Sequence, residues 1–152
     1  GSSWLPLALR EAPATGPAAT PSNASPSNAS PPSTAALPQW LAWSEADLQT
    51  QLAAGRPVFV DFTAAWCVTC QYNKKTTLAD ARLLADFAAR QVVLMRADWT
   101  RRDPAITQAL TALGRSGVPV YALYAPGRAP VLLSELPSVA EVQTALQGLP
   151  AR

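Results

Sequence analysis

Histidine is absent from the 152 residues, cysteine occurs only twice, and charged side chains make up just 14% of the chain. Without an imidazole there is no Ser-His-Asp triad, no Cys-His dyad and no His-ligated zinc or haem. Twelve Lys and Arg against ten Asp and Glu leave a net charge of +2. That balance is no electrostatic footprint for nucleic acid or for an anionic membrane surface. No apolar run approaches the ~18 residues of a membrane-spanning helix. Trp4-Leu5-Pro6-Leu7-Ala8-Leu9 is too short and lacks the basic flank of a signal peptide. The chemistry that remains passes mostly through the two sulfurs.

Glycine is scarce at 7 residues and proline frequent at 15, with eight of the prolines in residues 1–38. That stretch carries only two charges, Arg10 and Glu11, and holds a tandem repeat, Pro21-Ser22-Asn23-Ala24-Ser25 followed by Pro26-Ser27-Asn28-Ala29-Ser30. Such a segment buries too little apolar area to offset its ordering entropy, so residues 1–38 read as a flexible, disordered Pro/Ala/Ser-rich tether. The Asn-Ala-Ser repeats match a glycosylation pattern but are better explained as low-complexity drift, and Gly1-Ser2 reads as a cloning scar. A tether of this kind suggests a fragment of a longer chain. Residues 39–152 are left for one folded domain.

Within that domain, Ser44-Glu45-Ala46-Asp47 resembles a capping box opening a helix with Leu48 and Leu52 inward, ended by Gly55. Val58-Phe59-Val60-Asp61-Phe62 is an apolar run of strand length, and a helix is expected from about Cys67. Asp80–Arg90 reads as a helix with Leu83, Leu84 and Phe87 inside, and Gln91–Asp98 as a second buried strand. Asp103-Pro104 supplies an N-cap and a first-turn proline for a helix carrying Ile106, Leu110 and Leu113. Val118–Tyr124 is a third strand, turned by Pro126-Gly127 into a short fourth around Val131–Leu133. Ser138 and Glu141 form a capping box for a last helix through Val142 and Leu146. The order predicts an α/β fold, a central mixed sheet flanked by helices on both faces.

Cys67-Val68-Thr69-Cys70 stands directly after a predicted buried strand and opens a predicted helix, a context in which the spacing reads as a redox motif. A helix N-terminus offers free N–H groups and positive potential that stabilise a thiolate. Cys67 is therefore expected to be the exposed nucleophile, and Cys70, one turn further in, the more buried resolving thiol. A structural staple across so short a loop would contribute only roughly 2 kcal/mol. Zinc would need two more ligands, from a second chain. A two-thiolate copper(I) site remains a chemical alternative, since soft thiolates suit that ion.

Asp61 lies inside an otherwise apolar strand, six residues before Cys67. A buried acid is costly without a role. One reading is a carboxylate bonded to backbone near the surface; the other is an acid beneath the disulfide that raises thiol pKa values and exchanges a proton with Cys70. Pro119, after Gly117-Val118, cannot donate to a sheet. It is either an ordinary trans proline opening an edge strand or a cis proline that leaves the Val118 backbone free to pair with a partner chain beside Cys67.

Val60-Asp61-Phe62-Thr63-Ala64-Ala65-Trp66-Cys67-Val68-Thr69-Cys70, followed by Gly117-Val118-Pro119, resembles the thioredoxin superfamily. With Ala64-Ala65-Trp66 ahead of the motif and Val-Thr inside it, the chain is most similar to the C-terminal periplasmic (gamma) domain of the DsbD/ScsB family of thiol:disulfide interchange proteins. The resemblance covers residues 40–149. It implies a thioredoxin fold with a cis Pro119, placed after a membrane-embedded electron-carrying domain. It further implies a soluble periplasmic domain of an inner-membrane protein, taking two electrons from the membrane domain and passing them to another periplasmic domain of the same parent. Cys67 is then the attacking thiol, Cys70 the resolving one and Asp61 the tuning acid. Partners are protein disulfides and dithiols, with no nucleic acid, no direct membrane contact and a monomeric domain.

Relatives carry a second acid seven residues after the first cysteine, where this chain has Lys74. Two helical turns put Lys74 on the face of Cys67, where an ammonium favours the thiolate unless it swings into solvent. Trp66 is expected to shape the redox surface with Val68 and Thr69. Trp40 and Trp43 are expected to pack the first helix on the sheet, Trp99 to close a strand end, and Arg101-Arg102 to be solvated. The expected activity is protein-disulfide reduction by dithiol–disulfide exchange, without organic cofactor or metal. The alternatives are a stand-alone periplasmic thiol reductase of the cytochrome c maturation type and the copper(I) module.

Overall fold

The computed structural model describes residues 38–150. The tether and its Asn-Ala-Ser repeats lie outside these residues, apart from Pro38. In chain order the elements are β1 (Trp40–Ala42), α1 (Glu45–Ala53), β2 (Val58–Thr63), α2 (Val68–Lys75), a 3-10 turn (Thr77–Ala79), α3 (Ala81–Ala89), β3 (Val93–Asp98), α4 (Pro104–Ala112), β4 (Val120–Tyr124), β5 (Val131–Leu132) and α5 (Val139–Gln147). The sheet runs β1-β3-β2-β4-β5, with β1 and β2 parallel to β3, β4 antiparallel to β2, and β5 antiparallel to β4. No described helix is long and apolar enough to cross a membrane.

The helices begin where side chains satisfy their free N–H groups. Ser44 accepts from the Asp47 N–H, Asp80 from those of Arg82 and Leu83, Asp103 from those of Ala105 and Ile106, and Ser138 from that of Glu141. The last box is only half formed. Glu141 does not reach back to Ser138; its carboxylate accepts from the backbone N–H and hydroxyl of Ser134 at 2.8 and 2.7 Å, pinning the loop before α5. Gly55 and Gly114 follow α1 and α4 at φ +85° and +75°, the left-handed conformation that lets the chain leave a helix sharply.

β2 is central, and all six of its residues are buried. Its alternation splits the core in two. Val58, Val60 and Phe62 face a layer with Leu48 of α1 and Ile106 and Leu110 of α4, with Trp43 packed against it. Phe59 faces the other way, into Leu83 and Phe87 of α3 and Val142 and Leu146 of α5. There it lies 5.0 Å from the Phe87 ring and stacks 6.2 Å from Tyr121. Each such buried side chain contributes about 1.5–3 kcal/mol.

Two expectations need correction. The fold has an additional first strand, β1, and Trp40 belongs to it. Instead of packing α1, the Trp40 ring stands edge-on to Phe59 at 6.3 Å, on the opposite face of the sheet from α1. A three-residue strand carries no alternation from which to read it. Its place follows from β3, which pairs Trp40 with Leu94 and Ala42 with Arg96.

Candidate active site

The turn from β2 into α2 carries both cysteines. Beyond Thr63 the chain folds back on itself, with the Cys67 N–H donating to the Ala64 carbonyl at 3.1 Å and the Gln71 amide to the same oxygen at 3.0 Å. Cys67 is the N-cap of α2, and its Sγ accepts from the Cys70 N–H at 3.1 Å. The two residues are disulfide-bonded, with Cα atoms 5.2 Å apart. A sulfur in this position receives the free N–H groups and positive end of the helix dipole, and Lys74 and Lys75 complement the other end.

Cys67 is less accessible than expected: it is 7% exposed against 0% for Cys70. The disulfide-bonded pair packs with Ala64 and the half-buried Val118. The order of burial still follows the helix, with the second cysteine deeper. Pro119 is buried, and the Val118–Pro119 peptide is cis. Val68 is 82% exposed at the start of α2, Trp66 is 49% exposed before it, and Thr69 is half-buried.

The segment ahead of Cys67 is held from across the sheet. The Ala65 N–H donates to Thr100 Oγ1 at 2.8 Å and Trp66 Nε1 to the Thr100 carbonyl at 3.1 Å. Asp98 fixes Thr100 in turn, accepting from its N–H and hydroxyl, and these bonds hold the Asp98 carboxyl below its usual range. Arg102 is exposed, yet it does more than sit in solvent. Its guanidinium lies 5.1 Å from the Trp66 ring centre and 4.9 Å from that of Trp99, on a backbone at φ +54°. Trp99 is buried and donates Nε1 to Thr107 Oγ1 at 2.8 Å.

Asp61 is 0% exposed. It shares its level of the sheet with Arg96 on β3 and Tyr121 on β4, and by alternation it points to the Phe59 side. Arg96 Nε donates to Oδ2 at 3.0 Å, whereas Oδ1 is buried with no hydrogen-bond partner among the described residues. Burial pushes the Asp61 carboxyl above its ordinary value, and Arg96 and then Lys74 pull it part of the way back. Burial and the Asp61 charge also push the Tyr121 hydroxyl up, so Tyr121 stays neutral. Asn73 ties this layer to α2, donating to Tyr121 Oη at 2.8 Å and to the Glu135 carbonyl at 2.9 Å. Lys74 is half-buried in a cleft of about 320 Å³ that it shares with Thr63, Gln71, Arg96 and Asp98.

The fold thus gathers Cys67, Cys70 and Val118 into one cluster, while Asp61, on the strand that leads into it, is bonded to Arg96 and lies within the influence of Lys74. The sequence reading missed Arg96 and Thr100. Arg96 left no local signal, because it meets Asp61 only through the register of β3 against β2, 35 residues on. Thr100 gave none, because its partners lie 34 and 35 residues away.

A family model described as Thioredoxin-like matches residues 39–126. The chain is similar to the thiol:disulfide interchange protein DsbD of Ralstonia nicotianae, 46% identical over 59 residues that make up 38% of this chain and 9% of that protein. It is likewise similar to DsbD 1 of Pseudomonas aeruginosa, 33% identical over 83 residues, or 55% of this chain and 14% of that one. It therefore spans only a small part of the curated relatives' length. Among solved structures, the oxidised C-terminal domain of Neisseria meningitidis DsbD superposes with a TM-score of 0.62 at 19% identity, covering 74% of this chain and all of that one. A thioredoxin from Thermus thermophilus superposes at 0.57 with 23% identity, covering 72% of this chain and 85% of that one. The fold shared with both is the thioredoxin fold.

Proposed function

The chain belongs to the thioredoxin-like family, and from that premise we propose that it is a thiol-disulfide oxidoreductase domain, a protein-disulfide reductase exchanging its Cys67–Cys70 pair with disulfides of other proteins. The observation that carries this reading is Cys67 as the N-cap of α2, disulfide-bonded to Cys70 one turn on. The name shared by the relatives, thiol:disulfide interchange protein, supports it.

In the reducing direction the Cys67 thiolate attacks one sulfur of the partner's disulfide, and the partner's other sulfur leaves as a thiolate. Asp61 takes the proton from Cys70. The Cys70 thiolate then attacks the Cys67 sulfur, closing the Cys67–Cys70 disulfide and releasing the partner's second sulfur. Two electrons pass to the partner, whose thiolates take up protons from solvent. Lys74 supports the anionic forms of the site. The partner chain lies over Trp66, Val68 and Thr69, with the backbone at Val118-Pro119 beside the sulfurs. Exchange of this kind needs no organic cofactor and no metal.

The partners in this reading are other domains of a longer parent protein. Electrons arrive from a membrane-embedded domain and leave to a second periplasmic domain, and this domain works as a monomer in the periplasm. The small share of each relative that the chain spans is what supports this placement.

The test is the reduction potential of the Cys67–Cys70 pair, equilibrated against dithiol buffers. A value of about −220 mV or lower fits an electron relay. A value near −120 to −180 mV fits an oxidant or isomerase and would overturn the direction of flow.

A further inference from the structure

The loop after β3 turns sharply beside the cysteine turn. The Trp99 N–H donates to the Thr63 carbonyl at 2.7 Å, and the Arg102 N–H to the Trp99 carbonyl at 2.8 Å. Arg102 closes this turn at φ +54°, a left-handed backbone that costs a residue with a Cβ and comes cheaply only to Gly or Asn. From there its guanidinium lies over two indoles at once, 5.1 Å from the Trp66 ring centre and 4.9 Å from that of Trp99. The two rings are 6.1 Å apart and tilted by 54°. Both are fixed, Trp66 by the Thr100 carbonyl and Trp99 by Thr107 Oγ1. Trp99 is buried, whereas Trp66 is half-exposed and directly precedes Cys67. A cation held against such a pair gives up much of its freedom before any partner arrives.

The charge of Arg102 is not spent inside the domain. The acids nearest to it in the chain are occupied. Asp98 accepts from the N–H and hydroxyl of Thr100, and Asp103 from the N–H groups of Ala105 and Ile106 at the start of α4. Among the described residues the arginines in ion pairs are Arg82, with Asp80, and Arg96, with Asp61. Arg102 has neither an ion pair nor a side-chain hydrogen bond among them. Its N–H donors form a planar fork that fits the two oxygens of a carboxylate.

We propose that Arg102 is a specificity-determining residue for the exchange reaction: it receives a carboxylate of the partner protein, an Asp or Glu side chain close to the partner's reactive disulfide, while the apolar part of that segment lies on Trp66. The proposal rests on Cys67 and Cys70 exchanging with protein disulfides, and it adds which disulfides are preferred, namely those with an acid beside them. The selection also has a repulsive side, because a partner with Lys or Arg in that place meets a cation that cannot be deprotonated.

The probes are synthetic peptides that share one intramolecular disulfide loop and differ only in a flanking Glu, Gln or Lys. The reduced full chain is mixed with each, and the second-order rate of peptide reduction is followed by chromatography of quenched samples. Comparing the Glu-to-Gln rate ratio between wild type and variants cancels the intrinsic reactivity of each peptide. At low ionic strength that ratio is expected to be about threefold higher in wild type than in Arg102→Asn, the size an exposed ion pair allows, with the Lys peptide displaced the opposite way. High salt removes most of the difference. Arg102→Asn suits the left-handed backbone while deleting the guanidinium; if Arg102 only propped Trp66, its loss would slow all the peptides alike. Arg102→Lys keeps the charge without the fork, retains only part of the preference, and carries the test should Arg102→Asn fail to fold. Arg101→Gln, which changes the neighbouring charge, keeps most of it. Equal ratios in wild type and the Arg102 variants would overturn the proposal, and so would a loss of equal size in Arg101→Gln, since net charge alone would then explain it. If reduced wild type leaves every peptide disulfide intact, the exchange reading is what fails, and the role of Arg102 falls with it.

Discussion

Replacing Asp61 by Asn is expected to stabilise the oxidised domain at neutral pH even though it deletes an ion pair. Taking a carboxylate out of water costs several kcal/mol, and Asp61 is 0% exposed. A hydrogen bond to a charged group returns about 1.5–3 kcal/mol, and Asp61 has a partner at only one oxygen. That partner, about a third exposed, shares its charge with solvent. Burial wins, and the folded-state carboxyl sits above its ordinary 3.8. Between the unfolded and folded values the native state binds more protons, so stability falls as pH rises through that window and stays lower above it. Each unit of upward displacement corresponds to about 1.4 kcal/mol. Asn keeps the shape without the desolvated charge, and Arg96 turns to water. The expected gain at pH 7 is therefore about 1.4 kcal/mol for each unit by which folding raises the carboxyl, read as roughly 4 °C in Tm for each kcal/mol in a domain of this size. Below the unfolded-state value the gain disappears. Urea unfolding of oxidised wild type and Asp61→Asn from pH 3 to 8 measures it. A variant less stable than wild type at pH 7, or a difference that does not vary with pH, would refute the reasoning.

Cys67→Ser is expected to abolish disulfide reduction, whereas Cys70→Ser keeps the first attack and accumulates a mixed disulfide visible on a non-reducing gel. Lys74→Glu removes a cation that favours the Asp61 carboxylate; it is expected to raise the pKa of Cys67 and slow resolution at neutral pH, and thiolate titrations indistinguishable from wild type would remove Lys74 from the site. Thr100→Val deletes the acceptor of the Ala65 N–H. It is expected to cost about 0.5–1.5 kcal/mol and to alter Trp66 emission, and an unchanged spectrum would show that the segment before Cys67 is held by other means.

Most of the fold was legible because its signals are local. Ser44, Asp80, Asp103 and Ser138 each cap the helix they precede in the sequence, and Val58–Phe62 is apolar enough to be read as a buried strand. The redox pair was legible from the spacing of Cys67 and Cys70 at a strand-to-helix turn. The acid was legible because Asp61 is out of place among Val60 and Phe62. What escaped depends on which strand lies beside which. β1 is too short for a pattern, and the partnership of Asp61 with Arg96 exists only once β2 and β3 are set in register. The exposure of Cys67 was misjudged because helix position does not report what packs over a residue, here Ala64 and Val118 from distant parts of the chain.

The two ends of the sheet are unusually brief: β1 is three residues long and β5 two. An edge strand is a template onto which another chain can zip, and the hazard grows with the length of unpaired backbone it presents. With so little edge on either side, this sheet resists open-ended aggregation through strand addition. Leu41 and Val131 are exposed on these short edges, but Trp66 and Val68 lie at the mouth of a helix, where contact is made by side chains and ends when they part. A domain built this way can expose a greasy face next to reactive sulfurs and still let go of what it touches.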